Sequence, residues 1–560
     1  MKAVLKKRRS HIIRFNYGGI ILGVFAIFCS LLPSLLPRPW FIQGFISGLS
    51  AALGYGLGLA LSATYRWLVQ KELGRAVKER AWYFLKIAAP IVILVSLTLG
   101  RVWQNQVRQL IGTEKIGVLY SFLAIVASVF FFVLFIFIGT FTQKTGIFLH
   151  RRIIKKVPPR LGLVLSLLGT FVLFYFAVTG LLFSSFLKVS DSIFGTRDHT
   201  APQGISQPVD PNRSGSPDSL ITWDTIGFQG RGFVGSGPTK AAISRYYDGQ
   251  PAKDPVRVYA GLASSTSAQG RANLAVAELK RTKAFERDVL VIATATGTGW
   301  IDPSAADSLE YMHRGNTAIV SQQYSYLPSW ISFLVDQERA EEAGRVLYDA
   351  VLDEWLQLPE DNRPKLIVYG LSLGSFGGQS AFGSVNDMRR SVDGALFTGT
   401  PNETAFWRQV TKNRDSGTPE WQPTYKNGET VRFASSKEEM IAAKKTADET
   451  RILYLQHAND PVVWFSFDLF FKKPDWLNEN RADIVSHQTR WYPVVTFLQV
   501  GLDQAIAGSA PIGQSHYYND TTAYAWASVM PPSGWTIKDS DKLQRFINEE
   551  QDIYTGKINQ

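Results

Sequence analysis

Long uncharged apolar stretches fill the first third of the chain: Phe15–Pro37, Pro39–Tyr65, Ile116–Gln143 and Leu161–Leu187, each of at least 23 residues. That length lets a helix cross roughly 30 Å of hydrocarbon. A fifth stretch, Ala81–Gly100, carries a single charge, Lys86, near its start, where a long side chain reaches the membrane interface. The pattern predicts five spans, at about residues 17–36, 42–65, 81–100, 117–140 and 161–187, in a transmembrane domain of residues 1–189. Leu31–Pro39 lacks a small-x-small cleavage pattern and four more spans follow, so the first stretch reads as a retained helix and not as a leader. Gly44/Gly48 and Gly54/Gly58 sit four apart in the second span, a spacing that suits close helix packing.

After Lys188 the pattern changes. Residues 190–219 turn to Ser, Pro, Gly, Asp and Asn and read as a flexible linker, which as coil reaches roughly 30 Å. From residue 220 to 560, short β-branched runs alternate with longer helical patterns. Val256–Tyr259, Val289–Ala293, Thr317–Gln322, Leu366–Tyr369, Ala395–Thr398 and Ile452–Leu455 read as strands, with helical patterns at Arg271–Thr282, Gln337–Leu356 and Thr521–Val529. Apolar strands separated by helices predict a mostly parallel sheet with both faces covered. Two insertions interrupt the alternation. Residues 412–449 are polar, whereas 464–510 are rich in aromatics from Trp464 to Phe497. The second reads either as a lid over a ligand or as the core of a cap.

Charge refines this division. The 560 residues carry 59 Lys+Arg and 47 Asp+Glu, a formal net charge of +12. Residues 1–189 hold 23 of the basic residues and only three acids, Glu72, Glu79 and Glu114, while the remainder has a net charge of −8. The basic residues flank apolar runs instead of lining a soluble face, which excludes a nucleic-acid partner. The N-terminus and the loops after the second and fourth spans carry 17 Lys+Arg, against 4 in the other two loops. The positive-inside rule then predicts a multi-pass cell-membrane protein with a cytoplasmic N-terminus and, after five spans, an extracytoplasmic C-terminal domain. No Asp or Glu lies within any span, which disfavours transport and favours a compact anchor. The single cysteine, Cys29, excludes an internal disulfide and a cysteine metal site.

Against that framework, one motif carries chemistry. Gly370-Leu-Ser372-Leu-Gly374 directly follows the Leu366–Tyr369 run and precedes a helical segment. A strand-to-helix turn of this kind exposes a serine Oγ at the top of a sheet, and larger flanking residues would clash. The serine needs a base oriented by an acid. In the chain order Ser…Asp…His, the acid is expected after the next-to-last strand and the base in a late loop. Asp460 follows Ile452–Leu455, and His516 lies in Gly513-Gln-Ser-His. His457 is the rival base, three residues before Asp460, while His313 reads as a surface turn residue. The N–H of Leu373 is one candidate oxyanion donor, and the Gly-Thr-Gly turn after Val289–Ala293 offers those of Gly297 and Thr298. The same turn lacks the lysine and the spacing of a phosphate-binding loop, and no metal-ligand spacing occurs. Trp300, Tyr324 and Trp464 flank these loops and are candidate substrate-pocket residues. The chemistry calls for no cofactor and no metal.

Together Ala293–Asp302, Gln322–Trp330, Tyr369–Gly374 and Leu455–Trp464 resemble a bacterial family of membrane-anchored α/β-hydrolases, over nearly the whole chain. The resemblance implies a multi-span N-terminal region, an extracytoplasmic α/β-hydrolase domain and a triad of Ser372, Asp460 and His516. Gln514-Ser515 stands where the family pattern leads one to expect a Gly-His-Gly-His-like approach to the base. Similar proteins hydrolyse lipid esters, including aminoacyl-phosphatidylglycerol. The expected partners are therefore the bilayer and a membrane lipid or envelope ester. An acyltransferase using the same acyl-enzyme, and a non-catalytic binding module, are the alternatives.

Overall fold

The computed structural model describes residues 15–70, 74–443 and 451–558. The basic N-terminal residues 1–14 and the end of the 412–449 insertion lie outside the described residues. The chain forms two compact units.

One unit comprises the residues up to Phe174 together with Leu469–Lys473 and Ser486–Leu502. Four helices are long and apolar enough to cross a membrane: Trp40–Val69, Ala76–Leu110, Val118–Ile153 and Pro159–Asp198, the last extending past this unit. The first predicted span is helical over Tyr17–Leu31, 15 residues, or about 22 Å at 1.5 Å per residue. Pro33, Pro37 and Pro39 follow it closely and prevent its continuation, so a count of five rests on this shorter helix.

The glycine pairs act as their spacing implies. A Cβ on Gly54 would lie 2.5 Å from Leu22 O, and one on Gly44 2.3 Å from the Ala127 Cβ. The second helix thus meets Tyr17–Leu31 on one glycine pair and Val118–Ile153 on the other. A buried polar knot closes the turn after the first helix. Arg38 Nη1 donates to Gln43 Oε1 at 2.9 Å, and Gln43 Nε2 donates to Ser47 Oγ at 3.0 Å. Gln499, from the 464–510 insertion, donates to Ser30 O at 3.1 Å and to Leu32 O at 3.0 Å. Tyr492 from the same segment stacks edge-on with Phe25, ring centroids 6.0 Å apart. The aromatic insertion is therefore divided: its 469–473 and 486–502 segments belong to the helical unit.

The other unit is built on a seven-stranded parallel sheet. Its strands are β1 (Val256–Ala260), β2 (Val289–Thr294), β3 (Thr317–Gln322), β4 (Lys365–Leu371), β5 (Gly394–Thr398), β6 (Val431–Ala434) and β7 (Arg451–Leu455), in the order β1-β3-β2-β4-β5-β7-β6. Every residue of β1, β2, β3 and β5 is buried, and β2 accordingly reads as an almost unbroken apolar run, Val289–Ala293, and not as an alternating one. Register aligns Val291 with Ile367, Tyr369 with Leu396, and Leu396 with Leu453. The carboxyl ends of β2, β4, β5 and β7 therefore open along one edge, where ligands bind in sheets of this kind. Helices Ala268–Arg281 and Gln337–Gln357 pack against each other over β1–β3, and Thr522–Val529 packs on β5 and β7.

Three expectations change here. The 412–449 insertion contains β6, a strand of the main sheet paired with β7; at four residues, with two half-buried, it gives too weak a pattern to read. Residues 190–219 are not uniformly a tether. The chain is helical through Asp198, and Arg213 forms a parallel bridge with Arg257 on β1, Ser214 N donating to Arg257 O at 3.0 Å and Arg257 N to Asn212 O at 3.1 Å. Composition reads as coil there because the backbone finds its partners on β1, far along the chain. Finally, β7 is the last strand among the described residues, so the acid loop follows the last strand instead of the next-to-last.

Candidate active site

Ser372 occupies the turn between β4 and the helix Leu373–Gln379, with φ +56° and ψ −125°, a region that a residue bearing a side chain adopts only under constraint. The constraint is steric. A Cβ on Gly370 would lie 2.4 Å from Gly374 O, and one on Gly374 would lie 2.2 Å from Thr294 O at the end of β2. Ser372 N donates to Thr398 O at 2.8 Å, fixing the turn beside the end of β5. Ser372 is buried at 5% exposure. The N–H of Leu373 opens the helix, where no intrahelical acceptor exists for it.

Asp460 caps the short helix Pro461–Trp464, its Oδ1 accepting from Val462 N at 2.8 Å. Its other oxygen, Oδ2, lies 2.6 Å from His516 Nδ1 and accepts from the Tyr518 hydroxyl at 2.7 Å. Complete burial alone would push this carboxyl up. The His516 ring, by charge and by hydrogen bond, together with the bonds from Tyr518 and Val462, outweighs burial and holds Asp460 below the usual carboxylate range. An ionised carboxylate only accepts, so His516 Nδ1 is the donor in this pair. His516 Nε2 is buried and has no hydrogen-bond partner. The ring lies against Gly399, where a Cβ would come within 2.5 Å of His516 Cε1. Gly399 directly follows Thr398, the acceptor of the Ser372 N–H. Asp460 and His516 are thus joined directly, while no hydrogen bond links His516 Nε2 to Ser372.

His457 is held elsewhere. Its Nδ1 bonds to Ser515 O at 2.7 Å and its ring stacks on Tyr518 with centroids 4.2 Å apart. Burial pushes its pKa down, keeping the ring neutral. It shapes the base loop, together with Asn459, whose Oδ1 accepts from Ser515 N at 3.0 Å. Ser515 has φ +53°, so the Gln-Ser approach to His516 is a tight turn fastened to the acid loop. His313 is half-buried, its Nε2 3.0 Å from Met530 O, so it is a packed turn and not a free surface residue.

The turn after β2 is closed by hydrogen bonds from Thr296 N to Trp300 O at 3.0 Å and from Gly299 N to Thr296 O at 2.9 Å. These leave the N–H groups of Gly297 and Thr298 outside the turn's own bonds. A Cβ on Gly374 would come within 2.9 Å of Ala295 O, so this turn and the serine turn adjoin.

The three proposed pocket aromatics are each buried or half-buried in this unit. Trp300 lines a cavity of about 230 Å³ with Phe228, Phe233 and Arg257. Trp464 is buried between Trp407 and Trp476, each centroid 6.1 Å away, and donates to His457 O at 3.0 Å. Tyr324 is buried, with its hydroxyl unpartnered. Among the described residues no group of three or more His, Cys, Asp or Glu is arranged to hold a metal ion.

Sequence reasoning missed Tyr518, Asn459 and Gly399. Tyr518 is two residues from His516, but nothing in its own neighbourhood marks it as a partner of an aspartate 58 residues away. Replacing Tyr518 with phenylalanine removes one donor to Asp460, at an expected cost of about 1.5–3 kcal/mol at neutral pH. Because Asp460 sits below its ordinary value, its contribution to stability is present above about pH 4 and is lost as pH falls through the lowered native value. The variant's carboxyl moves back up, so its acid unfolding is expected at higher pH than that of the wild type. Thermal unfolding followed by tryptophan fluorescence from pH 7 to pH 3 measures both effects.

Residues 256–543 match the alpha/beta-hydrolase family, and residues 31–238 match the alpha/beta-hydrolase family N-terminus. The chain belongs to this alpha/beta-hydrolase family. Comparison with curated proteins and with solved structures gave no match. Family and fold together define a protein of hydrolase type whose N-terminal region carries helices able to anchor it in a membrane.

Proposed function

We propose that the protein is a membrane-anchored serine hydrolase that cleaves a carboxylic ester of a lipid or cell-envelope component. Ser372 Oγ attacks the carbonyl, and His516 Nε2 takes its proton and returns it to the leaving alcohol. Asp460 holds His516 in the required tautomer and balances the imidazolium. The N–H groups of Leu373 and of the Gly297–Thr298 turn receive the oxyanion. Water then releases the acyl group from Ser372. The observation that carries this reading is the 2.6 Å Asp460–His516 pair, with His516 Nε2 unpartnered and the ring's Cε1 edge against Gly399, next to the residue that fixes Ser372.

With Tyr17–Leu31 counted as a span, the charge of the loops directs the hydrolase unit to the extracytoplasmic side, where lipid headgroup esters are within reach. Aminoacyl-phosphatidylglycerol is an ester of that class. The net negative charge of residues 190–560 favours a cationic aminoacyl headgroup over an anionic one.

Full-length protein in detergent, treated with a fluorophosphonate probe, is expected to gain the mass of one adduct, and the Ser372→Ala variant to gain none. Folded wild-type protein that takes up no probe defeats the serine-hydrolase reading.

A further inference from the structure

The helical unit contains a cavity that the hydrolase chemistry does not use. It lies between the helices Val118–Ile153 and Pro159–Tyr175 and measures about 540 Å³, within the roughly 300–1,000 Å³ typical of small-molecule sites. His150, Arg151 and Ser166 line one end, with His150 Nδ1 3.3 Å from Ser166 Oγ. Leu167, Phe171 and Phe174 line the wall that runs away from it. The lining on the first helix extends from Thr142 to Arg151, roughly 14 Å at 1.5 Å per residue.

Charge at the polar end has one sign. Arg151 lines that end, Arg152, Lys155, Lys156 and Arg160 follow it within nine residues, and residues 115–190 contain no Asp or Glu at all. A soluble anion would satisfy the cations and leave the aromatic wall unused. An uncharged lipid would fill the wall and leave the cations without a counter-charge. Only an amphiphile with a negative head satisfies both.

We propose that this cavity binds a single anionic phospholipid, its phosphate at Arg151 and His150 and an acyl chain along Leu167, Phe171 and Phe174. Basic pockets between membrane helices attract such headgroups, by an amount that corresponds to about fivefold in affinity for each lysine or arginine close to the charge. The site is independent of the Ser372 chemistry.

The test is native mass spectrometry of the delipidated full-length protein. It is titrated in detergent with phosphatidylglycerol and phosphatidylcholine of identical chains. Wild type is expected to retain one phosphatidylglycerol in at least fivefold preference over phosphatidylcholine. Arg151→Gln is expected to reduce that preference about fivefold, and Leu167→Trp, which fills the cavity, to lower retention of both lipids. Lys188→Gln, a basic residue outside the cavity, is expected to change neither. Equal retention of the two lipids by wild type overturns the proposal without recourse to any variant. So does a preference that survives both Arg151→Gln and Leu167→Trp, or displacement of the lipid by excess inorganic phosphate, which would reduce the site to a simple anion site.

Discussion

Replacing Asp460 with asparagine is expected to lower kcat for ester hydrolysis by about 10⁴-fold with little change in KM. Asparagine keeps the size of the side chain and one oxygen, so Val462 N retains its acceptor at the Oδ1 position, while the amide NH₂ takes the Oδ2 position, where Tyr518 donates and His516 faces. What changes is the group facing His516 Nδ1, 2.6 Å away. An amide NH₂ in that position cannot accept from Nδ1–H, so the ring shifts its proton to Nε2 and loses the lone pair that would activate Ser372. The imidazolium formed during attack also loses its counter-charge. Single-turnover measurement on a chromogenic ester, with the folded state checked by thermal unfolding, separates this from instability. A loss of less than tenfold would mean that Asp460 serves structure and does not orient the base.

Arg257→Met is expected to be the most destabilising single change in the hydrolase unit, at about 3–5 kcal/mol, a fall in Tm on the order of 10 °C. Arg257 stands on β1 with no exposure. Its Nε donates to Glu310 Oε1 at 2.8 Å, its Nη2 to Glu310 Oε2 at 2.7 Å and to Asp307 Oδ1 at 2.5 Å, and its Nη1 to Phe233 O at 2.8 Å. Burial opposes the charge, but the two carboxylates hold the guanidinium firmly protonated. Removing the arginine leaves Glu310, itself fully buried, without its ion-pair partner, and that desolvated carboxylate is the source of the cost. Combining Arg257→Met with Glu310→Leu is therefore expected to recover much of the stability, because an apolar pair needs no compensation. Differential scanning fluorimetry of the single and double variants provides the measurement. A double variant no more stable than the single one would show that packing against Phe233, and not the orphaned charge, dominates.

The sequence was most legible where local pattern and burial coincide. Thr317–Gln322 is a strand over the predicted residues, every position buried, with the apolar centre Ala318–Val320 carrying the signal. Ser372 was readable from its Gly-x-Ser-x-Gly pattern directly after a strand, with Gly370 demanded locally by Gly374 O and Gly374 by Thr294 O at the end of β2. Asp460 and His516 were readable through chain order, and the structure joins them at 2.6 Å. The features that escaped depend on distant partners. Tyr518, Asn459 and Gly399 take their roles from residues brought together only by the sheet, and Arg213 looks like coil until β1 is beside it. Packing also sets what a loop aromatic touches: Trp300 lines a cavity with Phe228, Phe233 and Arg257, and Trp464 stands between Trp407 and Trp476, neighbours that the local sequence does not reveal. Tyr17–Leu31 was read as longer than it is because an uncharged run continues through prolines that a helix does not.

The divided aromatic insertion has a practical consequence for anyone wishing to produce the hydrolase portion alone. A fragment starting at residue 220 leaves out every spanning helix, yet it still carries Phe470, Trp491, Tyr492, Phe497 and Gln499, which take their places on the helical unit. Released into water, those side chains form a sticky surface. Such a fragment is expected to need detergent for solubility, and deleting the anchor by cutting at the obvious linker is the wrong route to a crystallisable enzyme.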